Sequence, residues 1–331
     1  MDPEGLAELL LELAAAGVRV LSPEDRSWVG SADGIVALLE APGANGYHEE
    51  LRHLGALAIS DFVWLWAPGG YVGGLGALEV GYAHSAGVIV HSDTVLEDRA
   101  LGGFVDVVEN IDEAVLKARR RARLRGVVAR HQSSYDAAAQ VYQEHDTVQA
   151  PVVREAAATL ARSLWAEARV LDVGCGTGQG LKALVAVGLD AEGIDVSHNM
   201  AEAARSASGC GVTCDDVLRT EAWQLYDGLM VLGFLQLYPK GETVYVLERL
   251  RRFLVPGGVL YVGGCSNDAA ERAGDLSEHG EVGVKWRSLL SRDDVTFGLR
   301  AAGYDVIEEL VVVDGDGTRW YDVVARSSTT R

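Results

Sequence analysis

The chain is poor in the residues that staple, stop or span. Its 331 residues include only four cysteines and seven prolines. Cys175, Cys210, Cys214 and Cys265 form neither a C-x-x-C pair nor a disulfide framework, which points to a reducing compartment. Cys210 and Cys214 with a nearby histidine could hold a metal, but idle or buried thiols are the simpler reading, and no metal site is expected. No apolar run approaches the roughly 20 residues of a membrane-spanning helix. The first residues also lack the basic-then-apolar order of a secretory signal. A cytoplasmic protein with no membrane partner is expected.

Basic charge is scarce as well. Lys and Arg number 29 against 48 Asp and Glu, a formal net charge of −19. A protein that neutralises nucleic-acid phosphates needs a basic face, so the balance argues against a nucleic-acid partner. The basic run is Lys117 to Arg130, with Lys117, Arg119, Arg120, Arg121, Arg123, Arg125 and Arg130 and no acid among them. An RNA contact there is the bolder reading; a solvated inter-domain helix is the simpler one.

What is abundant is glycine and apolar side chain: 39 glycines and 48% hydrophobic residues, the profile of globular α/β structure. The length suffices for two domains, each with its own core. Val170-Leu-Asp-Val-Gly-Cys-Gly-Thr-Gly178 reads as a buried strand entering a glycine turn that opens a helix, where backbone N–H groups can approach a nucleotide-like ligand. After one helix the chain returns as Ala191-Glu-Gly-Ile-Asp195, a strand ending in an acid. That carboxylate arrives where a ribose needs its hydroxyls held.

Upstream, Asp2 and Pro3 open a helix carrying Leu6, Leu9, Leu10 and Leu13 at helical spacing. Gly17 ends it and Val18 to Leu21 is expected as a strand. A weakly patterned loop with a short helix near Ile35 to Leu39 follows, then a helix over Tyr47 to Ala58. Phe62 to Trp66 reads as a strand leading through Pro68-Gly-Gly70 into a helix with Leu75, Leu78, Glu79 and Tyr82. Gly87 to Val90 is another strand, and a helix from Asp112 runs into the basic segment. Ser133 is expected to start a new short helix and Val152 to Trp165 a further one. Near the end, Ser291 opens a helix, and Val306–Val313 with Trp320–Ala325 form an antiparallel pair before a frayed tail.

The run Ser60 to Gly73, continuing through Leu78-Glu-Val-Gly-Tyr-Ala-His-Ser-Ala-Gly87, resembles the nucleoside 2-deoxyribosyltransferase-like family over about residues 15 to 110. The resemblance implies Glu79 as a carboxylate nucleophile at an anomeric carbon. Gly69, Gly70 and Tyr71 are expected beside the substrate because parallel sheets bind ligands beyond the carboxyl ends of their strands, where the loop Ala67 to Gly74 falls. Two features depart from that family. The chain starts in the helix that would follow its opening strand, and Gly73 stands six residues before Glu79 where its active transferases place an aspartate. A nucleotide-binding, dimerising or structural domain therefore competes with an N-glycoside-processing one.

From Tyr135 onward the chain resembles class I S-adenosylmethionine-dependent methyltransferases. Leu171 to Gly178 matches the E/D-x-G-x-G-x-G signature, Asp195 the ribose-binding acid, Cys214-Asp-Asp216 the acidic end of the third strand that contacts adenine, and Phe253 to Tyr261 the later helix-to-strand turn. The spacing of Gly174, Gly176 and Gly178 differs from the G-x-G-x-x-G of nicotinamide sites. The resemblance implies S-adenosyl-L-methionine held by Tyr135, Asp172, Gly174, Gly176, Gly178, Asp195, Val196, Met200, Asp215, Asp216, Val217 and Gly233.

After the fourth strand the chain reads Leu235-Gln-Leu-Tyr-Pro239, with neither the Asn/Asp-Pro-Pro-aromatic run that grips a flipped base nor a Pro-Cys nucleophile. The expected acceptor is a small molecule, with a nucleoside, nucleotide or sugar-linked metabolite as the class that employs both halves. Tyr142, Tyr238 and Trp286 are expected pocket walls. His131, His145, His198 and His279 are base candidates, His145 and His279 foremost.

The expected architecture is therefore two doubly wound, mainly parallel α/β domains. These are a deoxyribosyltransferase-like domain at 1–118, a basic helix or linker at 119–132, and at 133–331 a Rossmann-like methyltransferase domain closed by an antiparallel strand pair. A homodimer or higher homo-oligomer is expected. The competing readings are a bifunctional enzyme using Glu79, and a methyltransferase of an unrelated metabolite with a regulatory or structural front domain.

Overall fold

The structure is a computed structural model describing residues 3–21, 28–29, 37–38, 46–220, 222–266, 288, 290–313 and 319–328. The chain divides into two compact units, Met1–Arg123 and Leu124–Arg331.

The first unit contains α1 (Pro3–Ala15), β1 (Trp28–Val29), β2 (Ala37–Leu38), α2 (Gly46–Ile59), β3 (Val63–Trp64), α3 (Gly74–Ser85), β4 (Val90–Ser92), α4 (Arg99–Gly102), β5 (Val105–Val107) and the first turns of α5 (Ile111–Ala161). Strands β3, β4 and β5 form a parallel sheet in that order. Alternation along the strands sorts their side chains between two layers. Val63, Leu65, Val90 and Val105 pack with Val80 and Ala83 of α3, whereas Trp64 packs with Leu10 and Leu13 of α1 and Ile111 of α5. Asp98 caps α4, accepting from the N–H groups of Ala100 and Leu101.

Two local expectations are corrected here. Val18 to Leu21 pairs with no strand among the described residues. The Val18 N–H is spent on the Leu13 carbonyl at 2.9 Å, closing α1, while the Val18 and Val20 side chains join the α1 cluster. Of the short helix expected near Ile35 to Leu39, Ala37 and Leu38 instead form β2, paired antiparallel with Val29 and Trp28 of β1, and the rest lies outside the described residues.

The second unit begins within α5, one helix where breaks near Ser133 and Val152 were expected. The Ser133 hydroxyl donates back to the Ala129 carbonyl at 3.1 Å, as a mid-helix serine does, and so opens no new helix. There follow β6 (Arg169–Val173), α6 (Gln179–Ala186), β7 (Asp190–Asp195), α7 (His198–Ser208), β8 (Val212–Cys214), β9 (Tyr226–Leu232), α8 (Thr243–Arg251), β10 (Leu254–Ser266), α9 (Arg292–Ala301), β11 (Tyr304–Val313) and β12 (Arg319–Ser327). They build a seven-stranded sheet in the order β11-β12-β10-β9-β6-β7-β8. Strands β8, β7, β6, β9 and β10 run parallel, and β12 lies antiparallel between β10 and β11. Ser327, expected in the frayed tail, closes β12 and donates its hydroxyl to the Val255 carbonyl at 3.1 Å.

Both faces are covered. Leu171, Val173, Leu229, Val231 and Leu260 meet Leu247 and Leu250 of α8 and Leu299 of α9. On the other face Val170, Met230 and Tyr261 meet Ala157 and Leu160 of α5 and Leu181 and Leu184 of α6. This is a Rossmann-like sheet. The chain moves from β6 outward to β7 and β8, then returns to β9 on the opposite side of β6. Strand order reverses there, leaving a crevice beyond the carboxyl ends of β6 and β9, where such sheets bind ligands. Among the described residues no helix is long and apolar enough to cross a membrane.

Two glycine substitutions test this packing in opposite directions. A Cβ on Gly180 would strike Asp172 Oδ2 and Met230 Cε, whereas one on Gly126 in α5 has only the Arg130 guanidinium within 4 Å, at 3.7 Å. Gly180→Ala is expected to destabilise by about 1–3 kcal/mol through overpacking. Gly126→Ala is expected to stabilise by roughly 0.5–1 kcal/mol through helix propensity. Urea unfolding midpoints of the two variants check both.

Candidate functional site

The turn after β6 requires glycine at alternate positions. Gly174, Gly176 and Gly178 have φ of 70°, 52° and 86°, a region that side chains with a Cβ rarely enter. A Cβ on Gly174 would lie 2.8 Å from the Phe234 ring and one on Gly178 2.9 Å from Ala204 Cα, so both are needed for close packing. Gly176 differs, because its Cβ would face space with nothing within 4 Å.

The N–H of Gly176 donates to Asp195 Oδ2 and that of Ser197 to Asp195 Oδ1, each at 2.9 Å. The carboxylate at the end of β7 is thereby fixed against the glycine turn. A carboxylate has about four acceptor positions, so each oxygen can still accept from a ligand hydroxyl. The Asp215 N–H donates to the Asp195 carbonyl at 3.1 Å, which sets the acidic end of β8 beside that of β7. Asp216 Oδ1 accepts from the Leu218 N–H at 3.0 Å and shapes the following turn. Met200 and Val217 are buried, and Val196 packs against the core beneath.

Asp172 lies in the strand that feeds this turn and is 4% exposed. Burial, reinforced by the negative charge of Asp195, pushes its carboxyl up to about 8. Burial raises Asp195 too, against the pull of its two backbone N–H donors. Two carboxyl groups at one crevice suit a ligand that brings positive charge, such as one carrying a sulfonium and an ammonium.

Helix α5 supplies the opposite wall. Tyr135 and Tyr142, one after the other on the helix, have ring centroids 5.8 Å apart. Buried His131 donates from Nε2 to the Leu237 carbonyl at 2.8 Å, holding the segment after β9. In that segment Gly233 has φ 69° and donates its N–H to the Gly263 carbonyl at 2.8 Å, while Phe234 and Tyr238 pack with centroids 5.2 Å apart. Burial raises the Tyr238 phenol well above its usual range, with Asp216 and Asp195 adding to the effect. The phenol keeps its proton and is a hydrogen-bond donor.

Sequence reasoning missed Asp136 and Phe234. Asp136 Oδ1 accepts from the Ser197 hydroxyl at 2.6 Å and the Asn199 N–H at 3.1 Å, 61 and 63 residues away. Its signal in sequence was only its adjacency to Tyr135. Among the histidines, His131 is tied as described, and His198 is exposed beside Glu202 at 3.8 Å. The backbone of His145 lies in α5, with its side chain outside what the structure describes. His279 and Trp286 lie outside the described residues.

In the first unit, Gly69 and Gly70 adopt φ of 73° and 82° in a single turn. A Cβ on Gly70 would lie 2.6 Å from the Val95 carbonyl, and Gly70 accepts from the Glu97 N–H at 2.9 Å. Gly70 thus admits a neighbouring loop, while Tyr71 projects outward, 72% exposed. Glu79 Oε1 lies 3.3 Å from His53 Nε2 of α2.

Residues 170–258 match the family model described as "Methyltransferase domain". Comparison with curated proteins gave no match. Among solved structures, the chain is similar to the Burkholderia thailandensis 1,6-didemethyltoxoflavin-N1-methyltransferase bound to 1,6-didemethyltoxoflavin and S-adenosylhomocysteine. The identity is 20%, over 60% of this chain and 88% of that one, with a TM-score of 0.51. It is also similar to DhpI in complex with SAH, at 20% identity over 62% of this chain and 99% of that one, TM-score 0.51. At these identities the likeness is one of fold.

The raised Asp172 carboxyl makes stability depend on pH. The unfolded carboxyl ionises near 3.8 and the folded one near 8. Its contribution is thus complete below the lower value and is lost as pH rises to the upper one. Asp172→Asn is expected to gain stability on wild type across that window, reaching at least about 1 kcal/mol by pH 8. Urea midpoints measured from pH 5 to 9 check the sign.

Proposed function

We propose that this chain, whose residues 170–258 match a methyltransferase domain, uses S-adenosylmethionine to methylate a small molecule bound between the carboxyl ends of its central strands and helix α5. The observation that carries the proposal is the pairing of Asp195 with the open Gly176 turn. A hydrogen-bonded carboxylate with acceptor capacity to spare stands beside backbone that leaves room for a ligand.

In this reading Asp195 accepts the ribose hydroxyls, Asp215 and Asp216 face the adenine, and Gly174 to Gly178 let the backbone approach. When bound, S-adenosylmethionine supplies an electrophilic methyl group on a sulfonium. The chain's own task is to align the acceptor and exclude water. Tyr135, Tyr142, Phe234 and Tyr238 provide aromatic walls for that purpose, and Tyr238 donates a hydrogen bond. His131, whose Nε2 proton is committed to Leu237, holds the wall. His145 and His279 stand as candidates for removing an acceptor proton.

The Burkholderia thailandensis protein is named for N1 methylation of 1,6-didemethyltoxoflavin, which supports an acceptor of similar scale. We favour a nucleoside, nucleotide or sugar-linked metabolite, because the front unit resembles a nucleoside-processing family. For that unit we favour binding over glycoside chemistry. Glu79 stands against His53 of the neighbouring helix, and Gly73 offers no second carboxylate.

Calorimetry is expected to show S-adenosylmethionine binding that weakens at least about tenfold in Asp195→Ala, equivalent to roughly 1.4 kcal/mol. A cationic ligand favours ionised Asp172, so affinity is also expected to rise with pH up to about 8; a flat profile would count against this site. Incubation with deoxynucleosides is expected to release no free base, and Glu79→Ala to leave methyl transfer unchanged. Base release that disappears in Glu79→Ala would restore the glycoside-processing reading.

A further inference from the structure

We propose that Asp136 of α5 is a positioning residue for the cofactor-binding carboxylate, acting on Asp195 through the Ser197 side chain and backbone. The relay is short and continuous. Asp136 Oδ1 accepts from Ser197 Oγ at 2.6 Å, and the Ser197 N–H donates to Asp195 Oδ1 at 2.9 Å. Ser197 is itself fully buried and caps α7, accepting from the Met200 N–H at 3.2 Å.

A second pair of bonds makes the contact two-point. Asp136 Oδ1 also accepts from the Asn199 N–H at 3.1 Å, and the Asp136 carbonyl accepts from Asn199 Nδ2 at 2.9 Å. The first turn of α7 has N–H groups without intrahelical partners and the positive end of the helix dipole, and a carboxylate from another helix suits that position. The same contact fixes α5 one residue from Tyr135. Asp136 therefore determines both where Asp195 points and where the aromatic wall stands, without belonging to the wall.

Its charge has a separate effect. The groups facing Asp195 are Asp172 from β6, Cys175 from the glycine turn, Cys214 from β8, Tyr238 after β9 and Asp136 from α5. Burial raises Asp172 and the two thiols. Burial raises Tyr238 as well, and Asp136 is the like charge that opposes ionisation of Asp195.

The inference rests on Asp195 as the ribose-facing carboxylate, and three variants separate the two claims. S-adenosylmethionine binding is measured by calorimetry on the full chain between pH 4.5 and 8, with kcat and KM for the cofactor taken alongside. Asp136→Ala is expected to weaken binding about tenfold through the lost hydrogen bonds and to raise KM for the cofactor. Asp136→Asn retains an oxygen that accepts both bonds, so it is expected to restore affinity near pH 7. Removal of its charge should move the acid limb of binding to lower pH by roughly 0.5. A merely structural Asp136 would leave that limb in place. Loss of binding in Asp195→Ala together with unaltered affinity in Asp136→Ala, or an unmoved acid limb in Asp136→Asn, overturns the relay alone. Normal binding in Asp195→Ala overturns the site assignment and the relay with it.

Discussion

The carboxylate of Asp195, held by the N–H groups of Gly176 and Ser197, is the constraint on which the rest of the site depends. Neither donor is available to it by accident. Gly176 directs its N–H inward because its φ of 52° turns the peptide toward β7, and Ser197 is free to donate because it precedes the first turn of α7. The Gly176 bond joins the carboxyl ends of β6 and β7, and the Ser197 bond closes the turn from β7 into α7. They fix the carboxylate beside the end of β6, the strand that also borders the crevice where strand order reverses.

That anchor also accounts for the electrostatics. The net charge of −19 is a property of the whole surface, but the effect at the site is local. Asp172 is buried in β6, and once Asp195 is fixed as an anion nearby, ionising a second carboxyl becomes costly. A protonated Asp172 is compatible with the empty fold, whereas an ionised one is compatible with a cation. In the proposed reading, a positively charged ligand draws on the difference between these two states, which the count of acidic residues alone does not reveal.

Much of this was legible in the sequence where the signal is local. Gly174, Gly176, Gly178, Asp195 and the β8 end announce themselves by order and spacing, and the capping box of Ser291 and Asp294 is visible in four residues. The contacts that remained hidden are those made across the fold. Asp136 reaches Ser197 over 61 residues, and His131 reaches Leu237 over 106. Both sit in α5, whose continuity was obscured by Ser133, a residue that favours helix starts yet here bonds back to its own helix. Val18 to Leu21 misled for a related reason. Its alternation reflects packing against α1, while its first N–H is already committed to ending that helix.

The two glycine-rich loops show why such motifs divide only when the surroundings are known. Each follows a parallel strand and leads to a helix, and each contains glycines at positive φ. At Gly70 a side chain is forbidden by the Val95 carbonyl, so the glycine exists to let one stretch of chain lie on another. At Gly176 nothing of the protein lies within 4 Å of where a Cβ would stand, and the N–H beside that space is already aligned by a carboxylate. An unfilled approach with a fixed acceptor next to it is the physical difference between a glycine kept for packing and one kept for a ligand. By that criterion the turn after β6 suits the proposed ligand, while the Gly70 turn is explained by the loop it admits.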